Sequence, residues 1–191
     1  MRRRQALGPL VGAGAGLVAL ALAFGVLGGV WWGASRPAYL AEVADGGVRI
    51  DSAASPVNTE FAAFGWFAVI TGLIGTLLAA AAWRVTRRRG IGGAGWLWWL
   101  IVCAAAAALT VFVFGNWSAL MFHQVPSHEE LELLSDGSRF HLIPPINPGA
   151  GWLAGPFTAA LGYWCANALS PAEPASPAAA TAPQSAPAAA G

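Results

Sequence analysis

Four long runs of apolar residues divide the chain, and polar segments separate them. The runs cover about residues 7–32, 61–83, 94–122 and 149–169, and none of them contains a charged side chain. A bilayer core about 30 Å thick is crossed by about 20 apolar residues in a helix. In lipid, a single segment satisfies its own backbone hydrogen bonds only as a helix. The pattern therefore predicts an all-α membrane bundle of four transmembrane helices.

The two longest polar segments, 33–60 and 123–148, fall on the same side of this predicted bundle. Each contains an Asp-Gly pair, at 45–46 and 136–137, between short apolar-rich stretches. Asp-Gly in that setting is a strong local signal for a β-hairpin. We therefore expect one β-hairpin in each loop. Two hairpins above one bundle could also pair into a four-stranded sheet.

The two halves of the chain share an order of short motifs. Pro-Val-Asn at 56–58 recurs as Pro-Ile-Asn at 145–147, and Gly-Trp at 65–66 recurs at 151–152. Two interpretations stay open. One is a duplication of a helix–hairpin–helix unit in parallel. The other is coincidence among common turn residues.

Arginine sets the predicted orientation of the helices. Seven arginines lie before the first run or in the short loop 84–93: Arg2, Arg3, Arg4, Arg84, Arg87, Arg88 and Arg89. The two long loops hold the other three arginines and eight of the nine acidic residues. Because basic residues concentrate on the cytoplasmic side, the loop 84–93 and both termini are expected in the cytoplasm. The two long loops are then extracytoplasmic.

Composition supports a membrane domain over residues 1–169 followed by a tail. Charged residues make up 10% of the chain, against roughly 25% in ordinary globular proteins. Residues 170–191 are mostly Ala, Pro and Ser, a composition typical of disorder. No basic face with interleaved aromatic residues indicates a nucleic-acid partner. The expected partners are the lipid bilayer and a membrane-protein partner subunit.

Small residues at helical spacing mark the expected helix contacts. In membranes, helices pack closely where Gly and Ala allow their backbones to approach. The predicted seams consist of Gly12, Gly16, Gly25 and Gly29 in the first helix and Gly65, Ala68, Gly72, Gly75 and Ala79 in the second. They would serve either the bundle itself or a partner subunit, and we favour the bundle.

Signs of chemistry are sparse. The four runs contain no His, Asp, Glu, Lys or Arg, which are the residue types that mark transport or redox sites in membranes. Cys103 and Cys165 lie inside apolar runs and are expected to be small buried residues. Weak metal-ligand candidates are His123, His128 and His141, whose spacing matches no established metal signature. We therefore expect no metal, no cofactor and no catalytic residue.

Several short features point to one family. They are the Arg36-Pro37 pair, the Asp45-Gly46 turn, Phe61, Gly65-Trp66-Phe67, Gly72, Gly75, the arginine cluster 84–89 and the glycine-rich segment that follows it. With these features the chain resembles a small family of actinobacterial four-helix integral membrane proteins catalogued as a domain of unknown function. The resemblance implies a bacterial plasma membrane and a four-helix form, and it implies no particular activity.

The sequence thus favours a non-enzymatic accessory or scaffold subunit. The alternative is a small transporter or channel built from two helix–hairpin–helix repeats. That alternative requires a polar path at the middle of the membrane. The candidate residues for such a path are Thr71, Thr76, Thr110 and Thr158.

Overall fold

Five α-helices, one 3-10 helix and three short strands make up the described part of the chain. The computed structural model describes residues 2–44 and 47–170, without the side chains of 2–9, 128 and 132. In chain order the elements are α1 (Arg2–Ser35), β1 (Tyr39–Ala44), β2 (Gly47–Ile50), α2 (Thr59–Arg89), α3 (Ala94–Phe122), α4 (His128–Leu133), β3 (Arg139–Leu142), a 3-10 helix (Gly149–Leu153) and α5 (Ala154–Ala168). The predicted Asp45-Gly46 turn and the predicted tail beyond Ser170 lie outside the described residues.

Three of the helices are long and apolar enough to cross a membrane. They are the Leu10–Ser35 part of α1, with 26 residues, α2 with 31 and α3 with 29. They correspond to the first three apolar runs, so the prediction of long apolar helices is confirmed for these runs, which are three candidate membrane spans. Helix α2 continues six residues past the apolar run and ends at Gly90, whose φ of 63° closes the helix by an N–H bond to the Thr86 carbonyl. Glycine adopts this left-handed conformation without a steric cost.

The fourth apolar run forms the 3-10 helix and then α5. Pro156 is the third residue of α5. The amides of the first turn have no partner within the helix, so proline costs no hydrogen bond there. The 15 residues of α5 span about 22 Å at 1.5 Å per residue. The five residues of the 3-10 helix add about 10 Å at 2.0 Å per residue.

A three-stranded antiparallel sheet joins the two long loops. Its strand order is β2-β1-β3. Strand β1 pairs with β2 through Val43 opposite Val48, and with β3 through Ala41 opposite Phe140. The predicted contact between the loops is present, but it takes three strands rather than four.

The β-hairpin predicted for the second loop is wrong. Residues 128–133, which include most of its expected first strand, form the short helix α4. The reason is a capping box. The Ser127 side chain accepts a hydrogen bond from the Glu130 amide, and the Glu130 carboxylate accepts one from the Ser127 amide. This reciprocal cap starts a helix, so the remaining strand, β3, pairs with β1.

The helices pack in two main pairs, α1 with α3 and α2 with α5. These pairs match the helices that a duplication would make equivalent, although the duplication itself stays a prediction. The largest fully buried side chains include Trp32, Phe67, Leu78, Leu100 and Val111, so the core lies between the helices along most of their length. A second, smaller core is formed by Ala41, Val43 and Phe140 of the sheet, against which Leu131 and Leu134 pack.

Candidate functional site

Glycines bring α1 and α3 into close contact toward the sheet end of the bundle. A Cβ atom built on Gly25 would lie 2.7 Å from the Thr110 Cβ, and one on Gly29 would lie 2.8 Å from the Val111 carbonyl oxygen. Real Cβ atoms do not approach so closely. The structure therefore places these two predicted seam residues at a helix contact that accepts no larger side chain.

A second close contact joins α2 to α5. A Cβ on Gly75 would collide with the Gly155 carbonyl and the Thr158 hydroxyl. The Thr158 hydroxyl donates a hydrogen bond to the Gly72 carbonyl at 2.8 Å. Ala79 continues the contact, 3.2 Å from a Cβ built on Gly162. Three of the predicted seam residues of α2 thus face α5.

The other predicted seam residues lie in more open surroundings. A Cβ built on Gly12, Gly16 or Gly65 would meet no atom within 4 Å. Ala68 is half-buried, and its carbonyl accepts a hydrogen bond from the Thr71 hydroxyl at 3.2 Å. Gly12 and Gly16 instead line an apolar cleft between α1 and α2.

Sequence reasoning missed three further glycines at close helix contacts. A Cβ on Gly33 would collide with the Ser118 hydroxyl and the Gly115 carbonyl, and one on Gly115 would collide with the Trp32 ring. A Cβ built on Gly155 of α5 would lie 3.1 Å from the Thr71 carbonyl oxygen. The spacing of four between Gly25, Gly29 and Gly33 was a signal for extending the α1 seam, but Gly33 falls in the predicted loop 33–60.

Arg36 is a buried cation at the end of α1. Its side chain is 3% exposed. Nη1 donates to the Asn116 Oδ1 atom at 2.8 Å, and Nη2 donates to the Pro144 carbonyl. The guanidinium also lies 5.1 Å above the Trp32 ring. Arg36 thus ties α1, α3 and the second long loop together.

The charge of Arg36 has no carboxylate partner among the described residues, and its Nε–H is buried without an acceptor there. Burial lowers the pKa of Arg36 to about 10. At neutral pH the group therefore remains protonated. An uncompensated buried charge is costly. Among the described residues, the guanidinium is therefore stabilised by its two neutral hydrogen-bond acceptors and by the Trp32 ring.

Four aromatic rings pack beneath Arg36. Trp32 and Phe67 have ring centroids 5.3 Å apart, and Phe112 and Trp152 have centroids 5.1 Å apart. Phe67 also meets Trp152 edge-on at 5.5 Å. The Trp32 indole donates to the Ala63 carbonyl at 2.9 Å. This cluster joins α1, α2, α3 and the 3-10 helix at the end of the bundle where α1 leads into β1.

The three histidines do not form a described metal site. His123 and His141 have ring centroids 6.3 Å apart, and the His123 Nδ1 atom lies 3.0 Å from the Ala119 carbonyl oxygen. The side chain of His128 is not among those that the structure describes. In the described part of the chain, no group of three His, Cys, Asp or Glu side chains is arranged to hold a metal.

The opposite end of the bundle carries the arginine loop. Arg84, Arg87, Arg88 and Arg89 have exposed side chains at the end of α2. Beside them, a cleft of about 490 Å³ opens between α2, the start of α3 and α5. Arg87, Gly93, Tyr163 and Asn167 are among its lining residues, and none of the lining residues is acidic. Its lining thus combines a guanidinium, a phenol and a side-chain amide.

The chain matches no protein-family model, no curated protein and no solved structure. The resemblance to the actinobacterial membrane family therefore stays a prediction, and no activity is transferred by similarity. The class that the fold defines is a helical protein with three candidate membrane-spanning helices and a small sheet joining its long loops.

Proposed function

We propose that this chain is a non-enzymatic accessory or scaffold subunit of a bacterial plasma-membrane assembly. The proposal rests on a difference between the glycines of the predicted seams. Neighbouring helices of the chain occupy the space beside Gly25, Gly29 and Gly75. Gly12 and Gly16, in contrast, face an open cleft. A helix face with two small residues four positions apart is a typical surface on which a further transmembrane helix packs.

The cleft on α1 has the features that a partner helix needs. It measures about 230 Å³ and is lined mainly by small and apolar residues of α1 and α2, among them Leu17 and Ala82, with Arg89 at its arginine-loop end. Trp96 lines the same cleft, and its indole N–H is buried without an acceptor among the described residues. An unpaired N–H is costly in lipid. A carbonyl or hydroxyl of a partner helix would remove that cost after a small adjustment of the ring.

The proposed topology has four spans with both termini in the cytoplasm. The 3-10 helix and α5 together reach about 30 Å at the rises given above, which supports the fourth crossing. The arginine loop lies at one end and the sheet at the other. This arrangement agrees with a cytoplasmic arginine loop and an extracytoplasmic sheet.

The transporter alternative is less well supported. All four threonines that it would place on a polar path donate their hydroxyl groups to backbone carbonyls. Thr71 donates to Phe67, Thr76 to Gly72, Thr110 to Ala106 and Thr158 to Gly72. Such hydroxyl groups satisfy themselves within the helices and have less capacity to bind a passing solute.

Co-purification from native membranes tests the proposal. The tagged full chain should retain a membrane protein in stoichiometric amount, measured by native mass spectrometry after mild detergent extraction. The double substitution Gly12→Ile and Gly16→Ile should abolish that association without unfolding the chain, because nothing within 4 Å opposes a Cβ at either site. Ala105→Ile, at an exposed position of α3, is the matched control and should retain the partner.

Two outcomes would contradict the proposal. One is a solitary monomer recovered from native membranes in every detergent that keeps the chain folded. The other is equal retention of the partner by wild type and by the double glycine variant. Solute flux in proteoliposomes that contain this chain alone would instead favour the transporter alternative.

A further inference from the structure

We propose that the cleft beside the arginine loop binds the phosphate group of an anionic phospholipid. The site shares no lining residue with the cleft on α1 that we propose as the partner surface. Its walls are Thr86 and Arg87 of α2, the glycine-rich turn 90–93, the start of α3, and Tyr163 with Asn167 of α5.

Tyr163 supplies the observation that points to a ligand. Its side chain is 93% buried, being 7% exposed, and it lines the cleft. Its hydroxyl oxygen would lie 3.8 Å from a Cβ built on Gly92, and it has no hydrogen-bond partner among the described residues. The Tyr163 hydroxyl thus lies at the wall of the cleft without an acceptor from the described part of the protein, and a ligand oxygen can accept its proton.

The beginning of α3 adds unpaired donors. Gly93, with φ of 110°, precedes the helix without a side-chain acceptor, and the first turn contains no acidic residue. The first amides of a helix have no acceptor within it. They therefore favour an anion at this end of a 29-residue helix.

Arg87 supplies the positive charge. Its guanidinium lies 5.4 Å above the Trp83 ring, and Nη1 donates to the Ser170 hydroxyl at 3.1 Å. These contacts hold the group beside the cleft and leave other N–H donors for a phosphate oxygen, because a guanidinium has five. Arginine and phosphate form strong, charge-assisted hydrogen bonds.

Acceptors that would repel an anion are already engaged. The Thr86 carbonyl accepts from the amides of Gly90 and Ile91, the latter at 3.2 Å. The Tyr163 carbonyl accepts from the Asn167 side-chain amide at 2.7 Å. These two carbonyls of lining residues are therefore occupied by protein donors.

A lipid is favoured over a soluble phosphate compound by the position of the cleft. Trp164 lines it, and Trp83, Trp96, Trp98 and Trp99 lie near the same end of the helices. Tryptophan rings concentrate at the level of the lipid headgroups. Basic pockets between helices on the cytoplasmic side are suited to anionic headgroups.

Lipid titration of the purified full chain tests the proposal. Native mass spectrometry would measure the binding of phosphatidylglycerol and phosphatidylcholine. We expect phosphatidylglycerol to bind about tenfold more tightly, because both lipids carry the phosphate but the choline ammonium of phosphatidylcholine is repelled by Arg87. Tyr163→Phe removes only the hydroxyl and should weaken phosphatidylglycerol about threefold to tenfold, with the thermal stability of the chain maintained.

A pair of arginine variants separates the cleft from the general positive charge. Arg87→Gln should weaken phosphatidylglycerol about tenfold. Arg88→Gln, which removes the same charge from an exposed arginine outside the cleft lining, should weaken it less than about twofold. Equal effects of the two variants, or no effect of Tyr163→Phe, would overturn the proposal.

Competition by glycerol 3-phosphate distinguishes the two sources of phosphate. A millimolar excess should leave phosphatidylglycerol bound. Displacement of the lipid by this soluble compound would show that the cleft takes a water-soluble phosphate ester, and the lipid proposal would then be wrong.

Discussion

The Nη1 atom of Arg36 donates a hydrogen bond to the Oδ1 atom of Asn116 at 2.8 Å. This bond fixes the end of α1 to the last two turns of α3. Nη2 of the same guanidinium reaches the Pro144 carbonyl in the second long loop. One buried cation therefore connects α1 and α3 to the segment that leads out of β3.

Asn116→Ala is expected to destabilise the chain by about 1–3 kcal/mol, because it leaves a buried charged donor without its acceptor. Asn116→Asp should be less harmful than Asn116→Ala. It places a carboxylate beside a guanidinium that has no acidic partner among the described residues, and an opposite charge offsets part of the cost of burial. Thermal unfolding in detergent compares the three chains. If the Asp variant were the least stable, the account of Arg36 as an uncompensated cation would be wrong.

Gly33→Ala is expected to lower the free energy of unfolding by about 1–3 kcal/mol, the usual cost of overpacking. The added methyl group would collide with the Ser118 hydroxyl and the Gly115 carbonyl. Gly65→Ala is the matched control, since a Cβ at Gly65 meets nothing within 4 Å. Alanine is the better helix former by about 1 kcal/mol, so the control should be neutral or more stable. Equal destabilisation in the two variants would contradict the close contact of α1 with α3.

The sheet is expected to depend on Phe140 far more than on its ion pair. Phe140 is buried against Ala41 and Val43, and Phe140→Ala should cost about 3 kcal/mol. The Arg139 Nε and Glu42 Oε2 atoms lie 3.6 Å apart, with the two side chains 63% and 39% exposed. Glu42→Gln should therefore cost less than about 1 kcal/mol. Hydrogen exchange of the β1 amides measures both effects, and a reversed order would show that the small core does not hold the sheet.

Helix α4 is expected to lose stability in acid. The amide and hydroxyl of Ser127 hold the pKa of the Glu130 carboxyl below its usual value. A lowered pKa in the folded state means that the stabilisation is present at neutral pH. It is lost as the pH falls through the pKa of the folded state. The protection factor of the Leu131 amide, which donates to the Ser127 carbonyl, should fall over that range. Glu130→Gln keeps a capping side chain and should remove the pH dependence.

The parts of the structure that follow from local patterning were predictable. Length and hydropathy located three candidate spans, and the spacing of Gly25, Gly29 and Gly75 indicated helix contacts. The second loop was not predicted correctly, because its Asp-Gly signal competed with the Ser127–Glu130 capping box, which organises α4. Both signals are local, and the structure realises the capping box, while β3 pairs with β1 nearly 100 residues away.

The burial of Arg36 depends on contacts that are distant in sequence. An arginine directly after an apolar run is expected to reach toward the headgroups. In this chain Asn116 and Pro144, 80 and 108 residues away, enclose it instead. The cleft beside the arginine loop also depends on contacts that are distant in sequence, because Arg87 and Tyr163 come together only when α5 packs on α2. No hydropathy pattern or short motif reports such an encounter.

Cysteine labelling in intact cells tests the membrane arrangement most directly. In a chain with Cys103 and Cys165 replaced by alanine, single cysteines would be introduced as Ala53→Cys, in the loop before α2, or Arg88→Cys, in the arginine loop. Both positions are exposed. A maleimide that cannot cross the membrane should label the cysteine at 53 in intact cells and the one at 88 only after the cells are permeabilised. Labelling at 88 but not at 53, or recovery of the chain in the soluble fraction, would contradict the account.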